Sequence, residues 1–163
     1  MNMGILLLEL VLVCAVFTIL VKLGVGNNAL NGLFFYPKPV QEKVYALGLT
    51  TREKVGARRK VFMPLFFLGM GVTFVFLIGF VNRCHTFWEA YFQALFFLEG
   101  MNWFDGIVID RLWVGHSRFW VIPGTEDVPF VQTWGQVLKK RGILTLIWIL
   151  GAALVAGLVV LLT

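Results

Sequence analysis

At 163 residues the chain has room for one domain, and a hydrophobic share of 59% with a mean hydropathy of +0.84 excludes an ordinary water-soluble fold, where apolar usage is roughly 45–50%. Fourteen Lys and Arg against nine Asp and Glu leave a net charge of +5, but the cations flank apolar segments, which argues for membrane orientation and against a nucleic-acid partner. The expected fold class is an all-α integral membrane protein: a four-transmembrane-helix bundle with short interfacial helices on the cytoplasmic side.

The first apolar segment, Met3–Leu23, is long enough to cross a hydrocarbon layer at about 1.5 Å per residue. It lacks both a positive leading charge and a small-residue cleavage site before Lys22, so it reads as a retained helix and not as a signal peptide. Residues 24–60 then carry Lys38, Lys43, Arg52, Lys54, Arg58, Arg59 and Lys60. Within them Phe34, Phe35 and Tyr36 precede Pro37 and Pro39, where aromatic rings would meet lipid headgroups, and Val40–Leu47 can form a short interfacial helix. Thr50 and Glu53 have capping-box spacing, so a helix is predicted from near Thr51 into the second span, Val61–Val81, with Pro64 kinking it or marking the membrane boundary.

A short turn at 82–85 follows, holding Arg83, Cys84 and His85. Cys84 and Cys14 should lie at different membrane depths, which argues against a disulfide. The third span is Thr86–Ile109 and the fourth Gly142–Leu162, separated by residues 110–141 with Arg111, Arg118, Lys139, Lys140 and Arg141. In that segment Pro123-Gly124 signals a tight turn, and Asp127 is placed to cap an amphipathic helix running through Phe130, Trp134, Val137 and Leu138 into the fourth span. Twelve cations in the two long segments, against Arg83 alone in the short turn, put those segments in the cytoplasm and both termini on the outer face. Ala152 with Ala156, and Ala153 with Gly157, form small-residue pairs that fit a homo-oligomer seam and intramolecular packing equally.

The third span is where chemistry is expected, because Glu89, Gln93, Glu99, Asn102 and Asp105 lie within it and Asp110-Arg111 end it. Ionisable groups at membrane depth normally turn toward a bundle interior or a wet cavity. At about 100° per residue, Glu89, Gln93, Glu99, Trp103 and Asp110 form one stripe, with Asn102 and Asp105 off it. No Lys or Arg is expected at the depth of Glu99, so that carboxyl needs protonation, hydrogen bonds, water or a bound cation. Asp105, Asp110 and His116 are candidate acid-base groups. Arg111 and Arg118 can hold an anionic moiety while Trp103, Trp113 and Trp120 cover an apolar one. Glu89, Gln93, Glu99 and Asn102 complete the candidate ligand-binding set. The alternative is that the carboxylates act as polar glue between helices and the arginines and tryptophans form an interfacial belt.

No metal-ligand spacing, phosphate-binding loop, dinucleotide-binding glycine pattern or nucleophile elbow occurs, and no cofactor is legible. The run from Asp105 to Arg111 is similar to part of the CDP-alcohol phosphotransferase signature, without its flanking aspartates. The layout of four spans and a long first loop is similar to the membrane-associated glutathione transferases, without their second-helix arginine and asparagine motif. Neither similarity assigns a family. The leading reading is a protein that binds, and in its fullest form modifies, a small amphiphile or lipid in a cytoplasm-facing polar cavity. A proton- or cation-coupled carrier using Glu9, Glu89 and Glu99 is the second reading, and a non-catalytic scaffold or accessory subunit the third. Membrane lipids and an amphiphilic ligand are the expected partners.

Overall fold

The computed structural model describes residues 3–163, and among these there is helix and no strand. Helix α1 spans Met3–Val25, α2 Lys38–Ala46, α3 Arg52–Phe74, α4 Phe87–Phe104 and α5 Trp134–Leu162. Both α3 and α4 continue without a break into π-helical turns, Val75–Val81 and Asp105–Trp113. Three helices, Met3–Val25, Arg52–Val81 and Trp134–Leu162, are long and apolar enough to cross a membrane. Their outward faces carry large apolar side chains such as Leu8, Ile19, Val72, Phe76, Leu150 and Leu154, each more than half exposed. An exposed apolar surface of that extent is incompatible with water and suited to acyl chains.

Helix α4 occupies the middle, packed against α1 and along the length of α5. Its buried face, Ala90, Gln93, Ala94, Phe97, Leu98, Met101 and Asn102, repeats at three- and four-residue steps. The face it meets on α5 runs Val137, Arg141, Ala152, Ala156, Val159 at compatible spacing. Ala152 and Ala156 are fully buried within the chain, so that small-residue pair brings two helices of one molecule together.

The ends of the helices sort into two groups. At one end Glu9 of α1 accepts a hydrogen bond from Asn82 at 3.0 Å, and a Cβ on Gly79 would lie 2.5 Å from Thr163 Cγ2. The beginning of α1, the α3–α4 connection and the C-terminus therefore share that end. At the other end a Cβ on Gly24 would overlap the Phe62 ring, and Lys22 Nζ sits 4.3 Å from the Phe119 ring centroid. We call this the basic end, since α1 leaves here through Gly26, whose φ of +62° lets its N–H reach the Lys22 carbonyl at 2.7 Å.

The two long segments form a layer across the basic end. Tyr36 donates its hydroxyl to the Trp120 carbonyl at 2.7 Å and its ring packs on Phe130, while Lys43 pairs with Asp127. Burial pushes the Tyr36 phenol above its ordinary pKa, which keeps it a donor. Helix boundaries differ in detail from expectation. Thr51, not Thr50, caps α3, accepting from the Lys54 N–H at 3.3 Å. Thr133, not Asp127, caps α5, in a capping box with Gln136, and Asp127 instead pairs with Lys43. Pro64 lies inside α3, which runs through it as one helix.

Candidate functional site

Arg141 organises the site. Only 2% of its surface is exposed, although it stands at the end of a run of three cations. Its two terminal nitrogens fork onto the π-helical turn that continues α4: Nη1 donates to Asp105 at 2.7 Å and Nη2 to Asp110 at 2.6 Å. Asn102 adds a reciprocal contact, its side-chain N–H reaching the Arg141 carbonyl at 3.2 Å and its oxygen lying 3.4 Å from Nη1. Charge-assisted bonds of this length are what make a buried guanidinium tolerable. Gly106 provides the space, since a Cβ there would lie 2.7 Å from Arg141 Nε.

Asp110 gathers further donors on the same oxygen, Oδ2, from Lys140 at 3.1 Å and Gln132 at 3.2 Å. In a regular α-helix Asp105 and Asp110 would diverge by about 140°. The π-helical turn Asp105–Trp113 winds more residues into each turn, and both carboxylates reach one guanidinium. The expected separation of Asp105 from the stripe holding Asp110 is corrected by that change of pitch.

This cluster forms one end of a cavity of about 640 Å³. The cavity exists because α3 and α5 meet closely where Gly79 touches Val159 and Thr163, and diverge toward the basic end. Phe62, Phe66, Met70 and Phe74 of α3 line one wall and Leu144, Trp148, Leu154 and Leu158 of α5 the other. Phe17 and Val21 of α1 and Leu98 and Met101 of α4 close its back. Asn102, Asp105, Asp110, Gln132, Lys140 and Arg141 line the polar end, beside Tyr36, Trp120 and Phe130. Pockets that enclose drug-sized ligands fall in the range of roughly 300–1,000 Å³.

Comparison with protein-family models, with curated proteins and with solved structures finds no match.

Of the residues singled out in the sequence, Asn102, Asp105, Asp110 and Trp120 line the cavity. Trp113 packs edge-on against Trp120 with centroids 5.2 Å apart, behind the lining. Arg111 donates to the Gln132 carbonyl at 2.6 Å and lies 4.8 Å over the Trp134 ring, so it braces the start of α5. His116 and Arg118 are exposed, the imidazole Nδ1 3.0 Å from the Leu112 carbonyl. Neither lines the cavity.

The other carboxylates singled out in the sequence lie apart. Glu89 completes a capping box at the start of α4, accepting from the Thr86 N–H at 3.3 Å and hydroxyl at 2.8 Å. Gln93 joins Glu9 in a polar group at the end opposite the basic one: its oxygen accepts from Asn82 at 2.8 Å and its amide donates to Cys84 Sγ at 2.9 Å. Burial raises the Cys84 thiol pKa above its usual value, with Glu89 and Glu9 adding to the effect, which keeps it an unreactive thiol. Glu99 accepts from the Thr145 hydroxyl at 2.7 Å and shares a separate shallow groove with Trp103. Both cysteines are free. Among the described residues no group of three or more His, Cys, Asp or Glu is arranged to hold a metal ion.

Lys140, Arg141, Gln132 and Gly106 are the site residues that sequence reasoning missed. Arg141 had a detectable signal: it falls four residues after Val137 on the stripe that continues through Trp148, Ala152 and Ala156. Gly106 and Gln132 had none.

Proposed function

We propose that the chain is a four-span membrane protein that takes the tail of a small amphiphile or lipid into the cleft between α3 and α5, with its head at the Arg141 cluster. The single observation that carries this is the cavity itself: aromatic and aliphatic walls along most of its length and charged groups gathered at one end. A ligand matching it is apolar along one part and polar at the other. Because α3 and α5 are also apolar enough to face lipid, the ligand enters sideways from the bilayer.

Helix α4 is the fourth crossing in this reading. It connects the same two ends as its neighbours, and its central polar groups are bonded to α5, as a spanning helix requires. The basic end faces the cytoplasm, on the strength of the cation bias between its segments and the short turn.

Gly71 lines the cavity and has no neighbouring atom within 4 Å of a Cβ placed on it. Gly71→Trp therefore starts its side chain in open space and directs a bulky ring into the cleft. We expect the unaltered chain, purified in mild detergent and measured by native mass spectrometry, to retain lipid, and Gly71→Trp to retain about tenfold less or none. Equal retention by the two would reject the cleft as the binding site.

A further inference from the structure

We infer that the head recognised at the Arg141 cluster is an uncharged hydroxyl, so that the ligand is a neutral lipid alcohol and not an anionic lipid. The inference rests on the cleft being a lipid site and concerns what that site selects. Arginines beside a membrane invite an anionic headgroup, but Arg141 has little left to offer one. Each terminal nitrogen already meets a carboxylate, and Nε, which has no hydrogen-bond partner, is fully covered where it lies against Gly106. A phosphate or carboxylate entering here would have to displace Asp105 or Asp110 and then sit beside the displaced charge in a poorly solvated place.

The cluster is also balanced. Asp105 and Asp110 oppose Lys140 and Arg141, so neither an anion nor an ammonium gains net attraction. What remains unused is hydrogen-bonding capacity. The side-chain hydrogen bonds to Asp105 and Asp110 all fall on Oδ2, leaving the second oxygen of each carboxylate without a donor among the described residues. Trp120, 3% exposed and lining the same end, has an indole N–H with no hydrogen-bond partner. A hydroxyl can donate to one of those carboxylate oxygens and accept from the indole, and it adds no charge.

Trp120 and Trp148 both line the cavity, so a brominated ligand seated there quenches their fluorescence. The experiment titrates the full chain, reconstituted in phosphatidylcholine nanodiscs, with four probes on one chain: dibromo-octadecanol and the corresponding amine, carboxylic acid and phosphate monoester. We expect saturable quenching by the alcohol, at least about tenfold tighter than by the other three, a gap of about 1.4 kcal/mol. Asp105→Asn, which leaves the cations in excess, should move the preference toward the phosphate. Tighter binding of phosphate, acid or amine by the unaltered chain would overturn the hydroxyl assignment while leaving the cleft a lipid site. Absence of saturable quenching by all four would overturn both. The decisive comparison uses the unaltered chain, so it stands even if a variant fails to fold.

Discussion

Arg141 shows how one side chain can be both the most expensive group in a membrane helix and the one that defines the site. Its burial is tolerable only while Asp105 and Asp110 hold both ends of the guanidinium. Arg141→Met leaves two carboxylates facing each other with Lys140 as the one remaining counter-charge at the cluster, and we expect a loss of about 3–5 kcal/mol in unfolding experiments in detergent. Adding Asp105→Asn to that variant should recover a large part, because Asp110 keeps Lys140 as its partner and no carboxylate is then left uncompensated. Gly106→Ala tests the fit from the other side. Its Cβ would lie 2.7 Å from Nε, 3.0 Å from Cγ and 3.1 Å from Cδ of Arg141, atoms too near the backbone to swing away, and overpacking of this kind costs about 1–3 kcal/mol. A neutral effect on thermal unfolding would show that the guanidinium has room to move.

At the scale of elements, caps and π-helical turns set which residues face each other. The Thr86–Glu89 and Thr133–Gln136 capping boxes start the two helices that carry the site. Thr133→Ala should destabilise by about 1 kcal/mol and loosen Lys140 and Arg141 first, seen as faster amide exchange at the start of α5. The layer at the basic end responds to pH through Lys43 and Asp127. The hydrogen bond from Lys43 holds the Asp127 carboxyl below its ordinary value of 3.8. A depressed carboxylate adds stability above that value and loses it as the pH falls through the folded value. Near-ultraviolet circular dichroism, which reports the Tyr36–Trp120 contact, should therefore hold to lower pH in the unaltered chain than in Lys43→Ala. Coincident acid transitions would remove the pair from any role in docking the layer.

For the whole molecule, the reading of four crossings places the start of α1, the 82–86 connection and Thr163 on the outer face, opposite the basic end. Single cysteines at Thr163 and at Lys54, in a chain with Cys14 and Cys84 replaced, test this with a membrane-impermeant maleimide on intact cells. We expect labelling at 163 without permeabilisation and at 54 only after it. The reverse pattern would invert the orientation, and labelling of both from outside would remove one crossing.

The sequence alone determined the helical, membrane-suited character, because long apolar runs leave the backbone no other way to satisfy its polar groups in lipid. It also located the polar helix, since Glu99, Asn102, Asp105 and Asp110 stand out against apolar surroundings. The partner of that helix was decided only in three dimensions. Arg141 is far from Asp105 along the chain and looks like one more orienting cation, and the π-helical pitch that aims Asp105 and Asp110 together has no signature in residue type. His116 illustrates the converse: its neighbours in sequence include acids and arginines, yet its helix turn points it away from the cavity. The cleft depends on the angle between α3 and α5, which side-chain packing at Gly79, Val159 and Thr163 sets and no local pattern encodes.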